Sequence, residues 1–138
     1  MTEVIVDTGP LVALLVGTDA HHRWLVDRLR EIRPPLLTCE AVLAETAHLV
    51  RRVRHGIERF ADLLESDLLC VEFDLTAERA RVARLLRKYA DRPMSLADAC
   101  LVRLAELHDG ASLLTVDGDF AVYRKHGRRV IPLIAPGG

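Results

Sequence analysis

Along the chain, short runs rich in Leu and β-branched residues alternate with longer stretches whose apolar side chains recur every three or four positions. The short runs predict buried strands, and the longer spacing predicts amphipathic helices. Strands are predicted at residues 4–6, 36–38, 69–73, 113–116 and 130–133. One helix is predicted to begin near Pro10. Five more are predicted to cover residues 21–30, 39–54, 57–65, 77–89 and 96–108. Gly56 is expected to end the third helix.

This alternation of strands and helices is typical of an α/β domain with a mostly parallel sheet. The interior strands are nearly continuous apolar runs, as expected where helices cover both faces of a sheet. A chain of 138 residues suffices for one hydrophobic core, and no repeat, linker or low-complexity tract divides it. We therefore predict a single α/β domain over residues 1–138.

Composition excludes a disordered chain, because 50% of the residues are apolar and 28% are charged. No basic leader precedes the apolar run at residues 11–16, which is far too short to span a bilayer, so we expect a cytoplasmic protein without a membrane segment. Cys39, Cys70 and Cys100 are widely spaced in apolar surroundings, which favours reduced, buried thiols over a disulfide framework or a zinc site.

The formal net charge of −1 gives no overall attraction to nucleic acids. Two local basic runs stand out against this balance. They are Arg51, Arg52 and Arg54, with His55 and Arg59 beside them, and Arg124, Lys125, His126, Arg128 and Arg129. Each run fits either a solvated surface or a contact with phosphates.

Two predicted strands are followed directly by an aspartate, Asp7 after the first strand and Asp117 after the fourth. The carboxyl ends of parallel strands lie at one edge of a sheet, where α/β proteins bind ligands. A structural use also fits, since Asp caps helices and favours turns. Asp7 or Thr8 suits the cap of the next helix, and Asp119 is expected to cap a short helix that contains Tyr123.

Glu45 lies inside a predicted helix, on one stripe with Val42 and Leu49. A carboxylate in an apolar stripe is costly unless a cation, a hydrogen-bond donor or protonation relieves it. A neighbouring arginine, Arg51 or Arg52, would be the structural explanation. A metal ion would be the functional one.

Asp98 lies three residues after Ser95, at the start of a mostly apolar helix. The spacing resembles a capping box, and the helix dipole favours an acid there and keeps it ionised. Capping and metal binding are therefore compatible. Four acids without a His or Cys pair at metal spacing form an all-oxygen set, for which Mg²⁺ or Mn²⁺ is the natural ion.

Four segments resemble, in order and spacing, the motifs of the PIN-domain ribonucleases, in particular the VapC-type toxins of toxin–antitoxin pairs. They read IVDT, LTCEAVLAE, SLADA and LTVDGDF, and together they cover essentially the whole chain. The resemblance implies a three-layer α/β/α fold with a mostly parallel sheet of about five strands. It also implies metal-site roles for Asp7, Glu45, Asp98 and a fourth acid, Asp117 or Asp119, with Thr8 and Thr115 as accessory hydroxyls.

The activity that the resemblance implies is hydrolysis of RNA phosphodiester bonds with one or two Mg²⁺ or Mn²⁺ ions. Arg51, Arg52 and Arg54 are predicted to contact flanking RNA phosphates. A homodimer and a small cognate antitoxin are expected as well. Two alternatives remain, a catalytically silent PIN domain acting as an RNA-binding or scaffold module and a nuclease of RNA processing that is not a toxin. A phospho-aspartate phosphatase is disfavoured, because position 9, where it would need a second acid, is Gly.

Overall fold

The computed structural model describes residues 2–137, in which strands and helices alternate as predicted. The strands are β1 (Val4–Val6), β2 (Leu36–Leu37), β3 (Leu69–Cys70), β4 (Ser112–Leu114), β5 (Arg124–Lys125), β6 (Arg129–Val130) and β7 (Leu133–Ile134). The helices are α1 (Thr8–Leu15), α2 (His22–Leu29), α3 (Glu40–Val50), α4 (Gly56–Glu65), α5 (Leu75–Lys88) and α6 (Leu96–Leu107). A 3₁₀ helix covers Gly118–Ala121.

Five strands form one parallel sheet in the order β3-β2-β1-β4-β7. The central strand β1 is buried along its whole length, as its apolar sequence predicts. Helix α1 packs on both α2 and α3, and α5 packs on α6. Because all five strands run in the same direction, their carboxyl ends line one edge of the sheet. The α/β class is therefore confirmed.

An aromatic cluster lies beside the start of α6. The ring of Tyr123 makes edge contacts with Tyr89 and Phe120, at centroid distances of 5.0 Å and 5.3 Å. All three side chains are buried. The cluster anchors the segment after β4, which consists of the 3₁₀ helix, turns and two-residue strands.

The junction between α3 and α4 differs from the prediction. Helix α3 ends at Val50, and Gly56 begins α4 instead of ending α3. A Cβ atom at position 56 would clash with the carbonyl oxygen of Val50, so the glycine permits a close approach of the two helices. The residues between them form turns, and His55 adopts a left-handed backbone conformation with φ 61°.

The predicted strand 130–133 is wrong. Val130 pairs with Arg124 in the antiparallel hairpin β5–β6, and the edge strand of the main sheet is Leu133–Ile134. The positive φ angles of His126 and Gly127 close this hairpin. Its sequence is mostly charged, so it lacks the apolar signal from which strands are predicted.

Smaller differences concern element ends and one cysteine. Strand β3 ends at Cys70 instead of residue 73, while α1 and α5 each begin about one half-turn early. Cys39 and Cys100 are buried free thiols as predicted, whereas Cys70 is half-exposed. Within residues 2–137, no helix has the length and apolar character needed to cross a membrane.

Candidate active site

Asp7 lies at the carboxyl end of β1 and caps α1. Its Oδ1 accepts a hydrogen bond from the backbone N–H of Thr8 over 2.7 Å, and its Oδ2 accepts one from the hydroxyl of Thr115 over 3.0 Å. Burial raises the pKa of Asp7 to about 6; the two hydrogen bonds oppose the shift, and the charges of Asp98 and Asp117 add to it. Within residues 2–137 no cationic side chain forms an ion pair with this buried carboxylate.

Thr115 is fully buried and connects Asp7 to Asp117. Its hydroxyl donates to Asp7 and accepts the backbone N–H of Asp117 over 2.9 Å. Asp117 is exposed, and its Oδ1 accepts the backbone N–H of Asp119 over 2.9 Å. Asp117 therefore caps the 3₁₀ helix. The prediction of Asp119 as the cap is wrong, and this helix ends before Tyr123.

Glu45 is exposed, so its predicted place in a buried stripe with Val42 and Leu49 is wrong. Helix α3 buries a different set of side chains, namely Val42, Leu43, Thr46 and Val50. Leu49 is 55% exposed. Glu45 nevertheless reaches the site, because its Oε2 accepts the hydroxyl of Thr8 over 3.0 Å. Neither Arg51 nor Arg52 forms an ion pair with it among the described residues.

Asp98 and Ser95 form the predicted capping box at the start of α6. Ser95 Oγ accepts the Asp98 N–H over 3.0 Å, and Asp98 Oδ2 accepts the Ser95 N–H over 3.3 Å. Burial raises the pKa of Asp98, hydrogen bonds from Ser95 and Tyr123 oppose the shift, and the charge of Glu45 adds to it. Asp98 is thus a half-buried acid close enough to other carboxylates to be repelled by them.

Tyr123 also contacts Asp98, and the sequence does not predict this contact. Its hydroxyl donates to Asp98 Oδ2 over 3.1 Å. Burial, and then the charge of Asp98, raises the pKa of Tyr123 far above its usual value, so the phenol is a neutral donor. The contact spans 25 residues, and no local motif indicates it.

The four acids share one edge of the sheet and are joined by hydrogen bonds and charge. Thr8 links Glu45 to Asp7, Thr115 links Asp7 to Asp117, and the charge of Asp98 reaches Asp7. Such a set fits a hard divalent cation, which would neutralise the repulsion and which prefers oxygen ligands. In the structure, no three His, Cys, Asp or Glu side chains within residues 2–137 lie close enough to one another to hold a metal ion.

The two basic runs have different surroundings. Arg51, Arg52 and Arg54 are exposed just after α3, and within residues 2–137 only the side chain of Arg51 among them forms a hydrogen bond, donating to the carbonyl of His48 over 2.5 Å. In the second run, Lys125 is buried and pairs with Asp109 over 3.1 Å. His126, Arg128 and Arg129 of this run are exposed, but the carboxylate of Asp109 lies within 4.0 Å of His126 and Arg129. The three arginines of the first run form no ion pair within residues 2–137, so they are the more available to a phosphate backbone.

The family model for the PIN domain matches residues 4–126, which is most of the chain. The chain belongs to the PIN-domain family. This PIN domain is 28% identical over 118 residues to "Ribonuclease VapC26" of Mycobacterium tuberculosis, with 83% of the chain and 86% of VapC26 covered. Its structure is similar to the crystal structure of M. tuberculosis VapC20, described as a "Sarcin-Ricin loop cleaving toxin", with a TM-score of 0.73 and 25% identity. That match covers 85% of this PIN domain and 92% of the VapC20 chain. The expected PIN fold and the resemblance to VapC proteins are both confirmed.

Proposed function

We propose that this PIN domain is a metal-dependent ribonuclease and the toxin of a VapBC-type toxin–antitoxin pair. The observation that carries the proposal is the surroundings of Asp7, a buried carboxylate next to other acids and without a paired cation among residues 2–137. The similarity of this PIN domain to a ribonuclease and to a toxin that cleaves the sarcin–ricin loop supports RNA as the substrate. The presence of all four acids gives no support to a catalytically silent module.

Asp7 and Asp98 would anchor Mg²⁺ or Mn²⁺, and Glu45 and Asp117 would complete the set directly or through water. When bound, the ion supplies Lewis-acid activation of water and neutralises charge that develops on the phosphate. Asp117 is favoured over Asp119 as the fourth acid, because the charge of Asp117 reaches Asp7 and contributes to its raised pKa.

The hydroxyl groups of the site orient these acids. Thr115 and the Thr8 backbone each hold one oxygen of Asp7, which fixes the plane of its carboxylate. The Thr8 hydroxyl holds Glu45, which is otherwise an exposed and mobile type of side chain. Thr8 and Thr115 therefore act as positioning residues in this proposal.

An RNA cleavage assay tests the proposal. It compares cleavage with Mg²⁺, cleavage with chelator, and cleavage by the variants Asp7→Asn and Asp98→Asn. We expect chelator to abolish cleavage and each substitution to lower it by more than about a hundredfold, because a ligand to the ion is lost. Asp74→Asn is the control, since Asp74 also caps a helix, α5, but is exposed. Cleavage that survives chelator, or that survives both substitutions, contradicts the proposal.

The similarity to VapC proteins supports an RNA target and a cognate antitoxin in general terms. We extend the proposal to a homodimer and to a cytoplasmic location, and both stay predictions. Size-exclusion chromatography with light scattering tests the first.

A further inference from the structure

The carboxylate of Asp98 is held by one of its two oxygens. Oδ2 accepts the Tyr123 hydroxyl over 3.1 Å and the Ser95 backbone N–H over 3.3 Å. Within residues 2–137, Oδ1 accepts no hydrogen bond from a neighbouring group. Two donors on one oxygen restrict rotation of the carboxylate and leave the other oxygen available to a ligand.

Tyr123 is suited to this task because its own ring is fixed. The residue is 1% exposed and lies between Tyr89 and Phe120, with interplanar angles of 67° and 86°. Packing therefore locks the rotamer of Tyr123, and a donor on a locked side chain orients its acceptor best.

The position of Tyr123 in the chain adds a second connection. It follows the 3₁₀ helix that Asp117 caps, whereas Asp98 lies on α6. One hydrogen bond thus joins the segment of the fourth acid to the helix of the third.

We propose that Tyr123 is a positioning residue of the metal site, whose hydroxyl holds Asp98 Oδ2 so that Oδ1 is presented to the ion. This inference rests on the proposed function, since it gives Asp98 the role of a metal ligand. Groups that orient metal ligands are worth about ten- to a hundredfold in metal affinity or activity when removed.

Mn²⁺ binding tests the role of the hydroxyl. It is measured from the paramagnetic resonance signal of the free ion. In Tyr123→Phe we expect the Mn²⁺ concentration for half-occupancy to rise by about ten- to a hundredfold. Tyr89→Phe is the matched control. It removes a hydroxyl from the same aromatic cluster, but this hydroxyl accepts the backbone N–H of Arg124 and does not contact Asp98. It should change half-occupancy by less than about twofold. Replacing Tyr123 by 4-aminophenylalanine, which keeps a donor at the same place, should restore binding.

Including Asp98→Asn separates this inference from the proposed function. If Asp98→Asn loses Mn²⁺ binding and cleavage while Tyr123→Phe binds Mn²⁺ as the unmodified protein does, Tyr123 has no positioning role and the proposed function stands. If Asp98→Asn keeps both, Asp98 is not a metal ligand, so this inference fails together with the role that the proposed function gives to Asp98. Cleavage by Tyr123→Phe should recover at high Mn²⁺ with an unchanged KM for RNA, which a general loss of structure would not produce.

A second measurement does not depend on whether Tyr123→Phe folds. The chain has two tyrosines, so Tyr123 is the only one in Tyr89→Phe. Adding Mg²⁺ to that variant should shift the tyrosine absorption, because the ion changes the charge on the acceptor of the phenol. An absorption spectrum that Mg²⁺ leaves unchanged would overturn the inference.

Discussion

At the scale of single residues, Asp7 serves the site at a cost to the fold. Its pKa of about 6 means that it is ionised at neutral pH in surroundings that favour the neutral acid. Because this value lies above the ordinary 3.8, the folded state binds the proton more tightly than the unfolded chain does. Stability is therefore lost as pH rises from about 4 to 6, and the loss persists above that range.

Asp7→Asn should consequently stabilise the protein when chelator is present. We expect the free energy of unfolding at pH 7.5 to rise by roughly 1 to 3 kcal/mol, since the amide carries no charge into the buried site. The gain should be about half as large at pH 5, where the folded wild type is mostly protonated. Urea unfolding at the two pH values measures both quantities. An Asn variant less stable than the wild type at pH 7.5 would show that the charge of Asp7 is compensated.

Residue contacts differ in how far the sequence predicts them. The Ser95–Asp98 capping box and the cap at Asp7 are local, so a four-residue pattern predicts them. The exposure of Glu45 is not predictable in this way, because α3 has apolar residues on most of its sides and several stripes compete for burial. The Tyr123–Asp98 bond depends on how the segment after β4 packs, which no local pattern encodes.

At the scale of elements, one buried acid holds three pieces of the fold together. Glu106 on α6 accepts two hydrogen bonds from Arg81 on α5, at 2.9 Å and 2.6 Å. It also accepts one from Arg103 over 3.2 Å and one from the backbone N–H of His126, in the β5–β6 turn, over 2.6 Å. Its side chain is 1% exposed. Burial alone would raise the pKa of Glu106, but these hydrogen bonds and the charge of Arg81 outweigh it and lower the pKa to about 2.

Glu106→Gln should therefore destabilise the protein by roughly 2 to 4 kcal/mol at pH 7, because it removes the buried charge that pairs with the partly buried Arg81 and Arg103. The depressed pKa stabilises the fold above about pH 4.5, and this contribution is lost as pH falls towards 2. The variant should then lose less stability than the wild type between these pH values. Glu78→Gln is the control; its partner is Arg103 and its side chain is 21% exposed, so we expect a cost of about 1 kcal/mol. Equal costs for the two variants, in urea unfolding, would contradict this account.

Elements with a clear apolar period were predicted well, and those defined by backbone geometry were not. The five strands of the main sheet include four that continuous apolar runs predict correctly. The hairpin β5–β6 is made by the left-handed turn at His126 and Gly127 and by charged residues, which carry no such signal. The prediction that Gly56 ends a helix is wrong, because a glycine that ends a helix and one that permits close packing look alike in sequence.

At the scale of the whole molecule, the parallel sheet explains how acids far apart in sequence come together. Asp7 and Thr115 lie 108 residues apart, yet β1 and β4 pair in register and place both at the same edge. The sequence therefore predicts the edge, while the distances within it depend on the tertiary packing. The sheet does not explain how RNA would be attracted, and the net charge of −1 gives the protein no overall attraction for RNA.

Any attraction for RNA must come from local charge, and the three exposed arginines after α3 are the best placed to provide it. Arg51 follows Glu45 by six residues, or roughly 9 Å along a helix axis. In an Asp98→Asn background that prevents cleavage, changing Arg51, Arg52 and Arg54 together to Gln should weaken binding of a short single-stranded RNA. The slope of log K against log salt concentration should also fall in magnitude by up to about 2, because each lost phosphate contact contributes about 0.7.

The matched control changes three other exposed arginines, Arg30, Arg33 and Arg79, to Gln. It alters net charge by the same amount, and Arg33 lies at the opposite edge of the sheet beside Thr2 and Ser112. Fluorescence anisotropy at several salt concentrations compares the two triple variants. A contact after α3 requires a larger loss of affinity and a shallower salt dependence in the first variant than in the second. Equal losses would mean that RNA affinity depends only on net charge. Unchanged binding in the first variant would mean that Arg51, Arg52 and Arg54 do not contact RNA.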